Sequence, residues 1–403
     1  MLLAATDPQW KKLMPNSTTE SNPEARVTTT KAPLSRTAYS SRLLSLDALR
    51  GFDMLWIIGG GDLITALAKA KPGQLSQAVS AQFEHVPWAG LHLFDVIWPL
   101  FMFMVGVSLS LSLGRRRESG ESHVVIYSHA LRRALILFVL GMIAQGQLLE
   151  FNLATLHPFY SVLGGIAAGY LIATVVTLNT RPNGRALVTG VFLILYWILL
   201  ITIPVPGVGR GVFTPTGNAA TYIDRIVMGR YYYAPANQAN TWFLSYLGFA
   251  ASVLLGVLAG DVLQSSRPSM KRKCLTLYAL AVGLIASGLL WSIWLPVIKL
   301  MWTSSFVLLT AGISCFLLAT FYLIIDVLGY RRWTFPFTVI GMNALAVYMA
   351  TNLFDFRILG NIFVGHLLPR IGSWAAVLSE AAALTIIWLI LYWMYRTRSF
   401  VKI

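Results

Sequence analysis

Ten long apolar runs divide the chain, and each is long enough to cross a hydrocarbon core about 30 Å thick as a helix. The predicted spans cover about residues 44–68, 91–113, 129–148, 159–178, 185–204, 241–264, 275–297, 302–328, 334–354 and 374–396. Hydrophobic residues make up 56% of the 403 residues and charged residues only 12%, which excludes a soluble globular protein. The strand alternation of a transmembrane barrel is absent. The sequence therefore predicts an all-α polytopic membrane protein with about ten transmembrane helices.

The distribution of basic residues predicts the orientation of these spans in the membrane. If the loops alternate between the two sides, sixteen Lys and Arg residues follow the even-numbered spans and eight follow the odd-numbered ones. The positive-inside rule then puts both termini in the cytoplasm, so the net charge of +15 indicates topology and no nucleic-acid partner. Residues 1–40, rich in Ser, Thr and Pro, are expected to form a flexible cytoplasmic tail, and 41–403 a transmembrane domain.

The first span contains three charged residues, Asp47, Arg50 and Asp53, at i, i+3 spacing. A charged side chain inside a membrane span costs free energy unless it has a partner. These three residues predict either a packing network near the cytoplasmic end or a ligand site, and the residues alone do not decide between these. The glycine run 59–61 and Asp62 follow. Three glycines allow a ligand or another backbone to approach closely, and close helix packing explains them as well.

Before the second span, polar residues crowd the outward side: Glu84, His85, Trp88, His92 and Asp95. Pro87 suits the first turn of a helix, which predicts that His85 lies at or just before a helix N-terminus. A neutral histidine there is a usable general base. Asp95 could fix the tautomer of His92 or hold a substrate hydroxyl. A hydrogen-bonded surface histidine is the alternative interpretation of His85.

The remaining polar features are less specific. Asn343 and Glu380 lie inside apolar helices, where each is either a helix-to-helix hydrogen bond or a site residue. Arg115, Arg116 and Arg117, with Arg132 and Arg133, form a basic cluster that suits a polyphosphate or anionic lipid. Histidine and cysteine spacing indicates no metal site. Walker and GxSxG motifs are absent, which removes the usual support for ATP-driven transport and serine hydrolysis.

Five blocks in order carry a family resemblance: RLLSLDALRGFDMLWIIGGGD, HVPWAGLHLFDVIWPLFMFMVGVSLSLSL, YIDRIVMGRYYY, KLMWTSSFVLLTAG and FTVIGMNALAVYMATN. Over about residues 41–403 the chain resembles the catalytic membrane domain of the heparan-alpha-glucosaminide N-acetyltransferase family, within the wider transmembrane acyltransferase superfamily. The resemblance implies an enzyme that uses cytoplasmic acetyl-CoA as co-substrate. Its acceptor would be the amine of a terminal glucosamine or related amino sugar of a glycan on the outer side. No metal is expected.

The resemblance also implies site residues. His85 matches the family's catalytic histidine, with Trp88 and Asp95 beside it, and Asp47 and Arg50 belong to the S-x-D-x-x-R-G block. Further blocks, expected to line the central cavity, contribute Lys299, Trp302, Ser304, Ser305, Asn343 and Tyr348. Of these, Asn343, Ser304 or Ser305 could donate hydrogen bonds to a developing oxyanion.

Two departures from the family pattern change the expected site. Isoleucines stand before the glycine run where lysosomal members carry an asparagine, and Asp62 is the candidate substitute. Gly164 and Gly165 replace a pair that usually ends in arginine, so either Arg132, Arg133 or other basic residues are expected to hold the CoA phosphates, or the donor differs. The resemblance is to a member expected to lack the lumenal N-terminal domain of the animal enzymes, with the expected tail 1–40 in its place.

The resemblance suggests a bacterial-type member in the inner (cytoplasmic) membrane, in contact with lipid, and family behaviour adds the expectation of a homodimer. Two alternatives remain: a transmembrane O-acyltransferase of an envelope glycan or lipid, and a sugar or anion transporter gated by the Asp47, Arg50 and Asp53 network.

Overall fold

The computed structural model describes residues 43–150, 156–233 and 240–401, so the predicted tail 1–40 lies outside the described residues. Fifteen α-helices follow in chain order: α1 Leu44–Leu55, α2 Gly61–Ala70, α3 Gln74–Ala81, α4 Ile97–Glu118, α5 His123–Ala144, α6 Val162–Asn179, α7 Pro182–Thr202, α8 Ala219–Met228, α9 Ser245–Gln264, α10 Met270–Trp291, α11 Ser304–Tyr322, α12 Phe335–Met342, α13 Ala344–Leu353, α14 Phe356–Val364 and α15 Ala375–Arg396. No strand occurs within those ranges.

Nine helical stretches in the described residues are long and apolar enough to cross a membrane. A tenth arises if α12 and α13, which are bent by 62° at Asn343, count as one broken span. This confirms the all-α polytopic class. Individual boundaries differ from the predicted ones: the second span begins at Leu93, and the third covers His123–Ala144. The long loop after the fifth span contains the short helix α8.

The centre of the bundle is formed by α4, α6, α9 and α11, which are the most deeply buried spans of the described residues. Helices α4 and α9 meet through glycines. A Cβ atom at Gly106 would lie 1.9 Å from the carbonyl oxygen of Val253, and one at Gly256 would lie 2.0 Å from that of Phe103. Only glycine permits this approach, so the small residues of both helices fix α4 against the core.

The first span is interrupted by a π-helical turn at Trp56–Gly60, between α1 and α2. Gly59 has φ of 131°, which a residue with a side chain rarely adopts. The extra residue of a π-turn shifts the phase of every later side chain relative to a continuous α-helix. The side chains after the glycine run therefore contact different neighbours from those they would contact in an unbroken helix.

Alternating spans separate the polar segments into two ends of the bundle. One end, here the His85 end, contains the segment 82–92, the loop 203–233 and the segment 292–303. Hydrogen bonds join these segments: the Trp88 indole donates to the carbonyl of Phe213 at 2.6 Å, and the backbone of Gly90 donates to that of Val297 at 2.9 Å. Arg116, Arg132 and Arg133 lie at the opposite end, here the arginine end.

Candidate active site

His85, Asp95 and Lys299 form a cluster of charged and titratable side chains at the His85 end. Asp95 Oδ1 lies 2.8 Å from His85 Nδ1 and 3.2 Å from Lys299 Nζ. The carboxylate of Asp95 is 1% exposed, whereas the imidazole of His85 is 50% exposed. A buried carboxylate therefore holds one side of an imidazole whose other side is accessible.

Asp95 is fixed by the backbone around it. It lies in a short 3-10 turn, Leu93–Val96, and its Oδ2 accepts hydrogen bonds from the backbone N–H of His92 at 3.1 Å and of Val86 at 3.3 Å. The expectation that Asp95 orients the His92 ring is wrong, because His92 Nδ1 lies 2.9 Å from the carbonyl of Glu84 instead. The ring that Asp95 orients is that of His85.

His85 does not lie at a helix N-terminus, which corrects the prediction made from Pro87. The segment from Gln82 to His92 consists of turns and bends, and the helical part of the second span begins only at Leu93. Phe94 packs against the imidazole, with the ring centroids 4.9 Å apart. The position of His85 thus depends on Asp95 and on this aromatic wall.

The partners of the imidazole indicate its tautomer. If Nδ1–H donates to Asp95, the lone pair of Nε2 is available to accept a proton. Lys299 Nζ lies 3.3 Å from Nε2 and 2.9 Å from Nδ1, so a positive charge stands next to the base. Burial lowers the pKa of Lys299, and the neighbouring Asp95 opposes that shift. The cluster can accept a proton and stabilise a developing negative charge.

A basic cavity of about 300 Å³ lies at the arginine end, between α4, α5 and α6. Its polar lining includes Arg116, His129, Arg132 and Arg133. The guanidinium of Arg133 lies 4.9 Å over the ring of Tyr170, and its Nε is buried without a hydrogen-bond partner in the described structure. A buried guanidinium nitrogen without a partner fits an anionic ligand that would bind there.

A smaller apolar cavity of about 40 Å³ lies farther along the same helices towards the His85 end. Its lining includes Trp98 and Phe101 of α4, Ile166 of α6, and Tyr348 of α13. On α4 the two cavities share one face, since the lining residues 98, 101, 109, 112 and 116 recur at helical spacing. The same holds on α6 for residues 163, 166, 170 and 174. The two cavities therefore lie on the same side of α4 and α6, and the apolar one reaches Trp98, one turn after Asp95.

The charges of the first span divide into a pair and an isolated residue. Arg50 Nη1 lies 3.3 Å from Asp47, and Arg50 Nη2 donates to Ser108 of α4 at 3.0 Å. Asp53 is fully buried, and neither carboxylate oxygen has a hydrogen-bond partner in the described structure. The predicted network of three charges is therefore corrected to a pair without Asp53.

Most of the predicted cavity-lining residues are bonded to the protein itself. Ser304 donates to the carbonyl of Leu193 at 2.7 Å, and Ser305 to that of Pro296 at 3.1 Å. The indole of Trp302 donates to Ser252 at 2.9 Å. The hydroxyl protons of both serines are engaged with the backbone, which corrects the expectation that they donate to an oxyanion.

Asn343 joins the break between α12 and α13 to the segment after α15. Its amide donates to the carbonyl of Ser399 at 3.3 Å and accepts from the backbone N–H of Val401 at 3.1 Å. This bonding accounts for a buried amide in an apolar span and does not bring Asn343 to the His85 cluster. The expectation that it stabilises an oxyanion is corrected for the same reason.

Asp62 lies in a different cavity from the one expected. Together with Asp355, Arg357 and Glu380, it lines a space of about 320 Å³ at the His85 end, here the carboxylate cavity. No described contact joins Asp62 to His85, so its expected role as a substitute for the missing active-site amide is corrected. Sequence analysis did not single out Asp355 or Arg357, although opposite charges two residues apart between apolar segments were a usable signal.

No protein-family model matches the chain. Two curated relatives are the heparan-alpha-glucosaminide N-acetyltransferases of Homo sapiens, 25% identical over 91% of this chain and 60% of the relative, and of Mus musculus, 25% identical over 81% and 56%. The chain thus spans about three fifths of the length of the curated relatives it matches. Over most of its length, the chain is a distant relative of the heparan-alpha-glucosaminide N-acetyltransferases.

Proposed function

We propose that the protein is a membrane acetyltransferase that moves an acetyl group from acetyl-CoA to the amine of an amino sugar, with a terminal glucosamine as the preferred acceptor. The observation that carries the proposal is the alignment of three features along α4. The basic and apolar cavities lie on the α4–α6 side of the bundle, and the His85 cluster lies at the N-terminal end of α4. The names of the two curated relatives support the same reaction class.

The donor would bind at both cavities. Its phosphates would pair with Arg132, Arg133 and Arg116, since guanidinium groups bind phosphate through several charge-assisted hydrogen bonds. Its thioester arm would pass between α4 and α6 beside Ile166, which lines the apolar cavity. From Arg116 to Trp98 the path along α4 is about 27 Å, from the rise of 1.5 Å per residue. The charged end of the donor therefore never has to enter the hydrocarbon core.

The reaction would take place at His85. The amine attacks the thioester carbonyl, His85 Nε2 takes the proton that the amine loses, and the C–S bond breaks to give an amide. The proton then passes from Nε2 to the departing thiolate, so that CoA leaves as the thiol. Asp95 holds the imidazole in the required tautomer, and the ammonium of Lys299 stabilises the negative charge on the carbonyl oxygen.

The same geometry permits a second route, in which Nε2 is acetylated first and then passes the group to the amine. Exchange of labelled CoA into acetyl-CoA without any acceptor separates the two routes. Exchange indicates an acetyl-histidine intermediate, and its absence indicates direct transfer.

The orientation follows the positive-inside rule. The basic cavity would face the cytoplasm, where acetyl-CoA is made, and His85 would face the opposite side of the membrane. The acceptor would therefore be a glycan outside the cytoplasm.

Transfer to glucosamine by purified protein in detergent tests the proposal. Wild type is expected to form N-acetylglucosamine only with acetyl-CoA present, and His85→Ala is expected to lose transfer while still binding acetyl-CoA. His366, an exposed histidine in the last loop of the same end, provides the matched control His366→Ala. Normal turnover by His85→Ala would contradict the assignment. Transfer to hydroxyl acceptors but not to amines would indicate an O-acyltransferase.

A further inference from the structure

Lys299 lies in a closed backbone turn, residues 298–303. The N–H of Trp302 donates to the carbonyl of Lys299 at 2.9 Å, and the N–H of Thr303 donates to that of Ile298 at 3.2 Å. Trp302 has φ of 53°, a left-handed conformation that residues with a side chain adopt uncommonly. Such a conformation persists only where the surrounding structure determines it. The shape of the turn therefore depends on the contacts around it.

Two hydroxyl groups bind the middle of this turn. The carbonyl of Met301 accepts a hydrogen bond from the hydroxyl of Tyr196 in α7, and a second one, at 3.0 Å, from the hydroxyl of Ser245 in α9. Both side chains are fully buried. The backbone N–H of Thr241 donates to the carbonyl of Leu300 at 2.8 Å. The middle of the turn is thus joined to α7, to α9 and to the segment just before α9.

The side chain of Lys299 extends from this turn to the buried carboxylate of Asp95. Its Nζ lies 3.2 Å from Oδ1 of Asp95, and the side chain is only 15% exposed. Because it is largely enclosed, few other rotamers are open to it, and the position of its ammonium follows that of the backbone. In the described part of the chain, the hydroxyl of Tyr196 bonds to neither His85 nor Asp95. Any effect of this hydroxyl on the His85 cluster would therefore pass through the turn.

We propose that Tyr196 is a positioning residue, whose hydroxyl, together with that of Ser245, holds the turn 298–303 so that the ammonium of Lys299 stays beside Asp95 and His85. This inference rests on the proposed function, in which Lys299 stabilises the negative charge on the carbonyl oxygen. Misplacement of such a group by about 1 Å can lower a rate about a hundredfold. Loss of the hydroxyl therefore slows the chemical step and leaves donor binding at the arginine end unchanged.

Tyr196→Phe tests this, because it removes the hydroxyl and keeps the ring. We expect kcat for transfer to glucosamine to fall at least about tenfold, with the Kd for acetyl-CoA within about threefold of wild type. In a Lys299→Met background the same substitution is expected to change kcat by less than about twofold, because the group that it positions is gone. Tyr278→Phe, which removes a hydroxyl 3.0 Å from that of Thr320 between α10 and α11, is expected to keep the wild-type kcat. An equal loss in both backgrounds, or an unchanged kcat in Tyr196→Phe, overturns the proposal.

Chemical labelling of Lys299 gives a readout that does not depend on transfer. Mass spectrometry measures how fast an amine-reactive ester modifies Lys299, with Lys273, which donates to the carbonyl of Leu263 at 2.7 Å, as the internal reference. Tyr196→Phe is expected to raise the rate at Lys299 at least about threefold and to leave Lys273 unchanged, and Ser245→Ala is expected to do the same. Unchanged rates in both variants, or a parallel rise at Lys273, overturn the proposal even where transfer proceeds. The expected labelling without transfer by wild type would contradict only the proposed reaction.

Discussion

At the scale of single residues, the proposed chemistry depends on the hydrogen bond between His85 and Asp95. Asp95 is held by two backbone N–H groups and by Lys299, so its carboxylate has little freedom to leave the imidazole. His85 and Asp95 are only ten residues apart, so sequence analysis already grouped them as candidates for one site. Lys299 is 214 residues away from His85, so sequence spacing could not predict that the two residues are neighbours. Only the family resemblance suggested Lys299 as a site residue.

Asp95→Asn is expected to lower kcat about a hundredfold or more while leaving the affinity for acetyl-CoA within about threefold. The amide can present its NH₂ group to Nδ1, which favours the opposite tautomer and removes the free lone pair from Nε2. Steady-state kinetics and donor titration of the purified variant measure the two effects. An unchanged kcat would show that Asp95 does not set the state of His85.

The position of Asp62 was predicted wrongly from the sequence. Its place shortly after the glycine run suggested a role beside His85. The π-turn at Trp56–Gly60 changes the helical phase, and Asp62 faces the carboxylate cavity instead. A π-turn has no reliable signature in a single sequence, so the phase of α2 could not be derived from α1.

At the scale of elements, α4 and α6 form the proposed donor path, and close packing of α4 on α9 keeps that path rigid. The apolar runs were sufficient to predict these helices, because hydrophobic length is the main requirement for a span. Sequence could not predict that their facing sides leave a cavity lined by Ile166 and Tyr348. That space depends on side-chain packing among helices distant in the chain.

Filling the apolar cavity is expected to weaken donor binding. Ala344, which lines it from α13, is the site of change: Ala344→Leu adds three carbons in the path of the thioester arm. We expect the Kd for acetyl-CoA to rise at least tenfold, with the Kd for adenosine 3′,5′-bisphosphate unchanged because that ligand needs only the basic cavity. Equilibrium binding of both ligands measures this.

Size-exclusion chromatography serves as the folding control for Ala344→Leu, since overpacking of a filled core costs about 1–3 kcal/mol. A folded variant that binds acetyl-CoA as wild type does would place the donor arm elsewhere.

The loop around α8 is joined to the bundle by Asp224, whose carboxylate accepts the backbone N–H groups of Trp242 and Phe243 at 2.7 and 2.8 Å. Burial raises the pKa of Asp224 to about 6. The folded state therefore binds this proton more tightly than the unfolded chain does. The stability contributed by this group is complete below about pH 4 and is lost as the pH rises through about 6.

Asp224→Asn removes this titration, so the difference in melting temperature between wild type and the variant is expected to shrink as the pH rises from 4 to 7. The other titrating groups contribute equally to the melting temperatures of both proteins, so their contributions cancel in that difference. Thermal unfolding in detergent at several pH values measures it. A difference that stays constant or grows with pH would contradict the assigned pKa shift.

At the scale of the whole molecule, the bundle separates a basic end from the His85 end. Composition and hydropathy predicted the class of fold. The uneven distribution of Lys and Arg between the loops predicted which end of the bundle faces the cytoplasm. Single-sequence reasoning did not reveal the basic and apolar cavities, because they are spaces left by side-chain packing between helices. The central claim of the proposed function is that a donor bound on one side of the membrane reaches an acceptor on the other.

A sidedness assay in sealed proteoliposomes with a fixed protein orientation tests this claim most directly. Acetyl-CoA is supplied only on the side of the arginine end, and glucosamine only on the side of His85. Transfer across the membrane predicts N-acetylglucosamine on the His85 side, with free CoA remaining on the arginine side, and no product from His85→Ala. Product that forms only when donor and acceptor share one side would contradict transfer across the membrane.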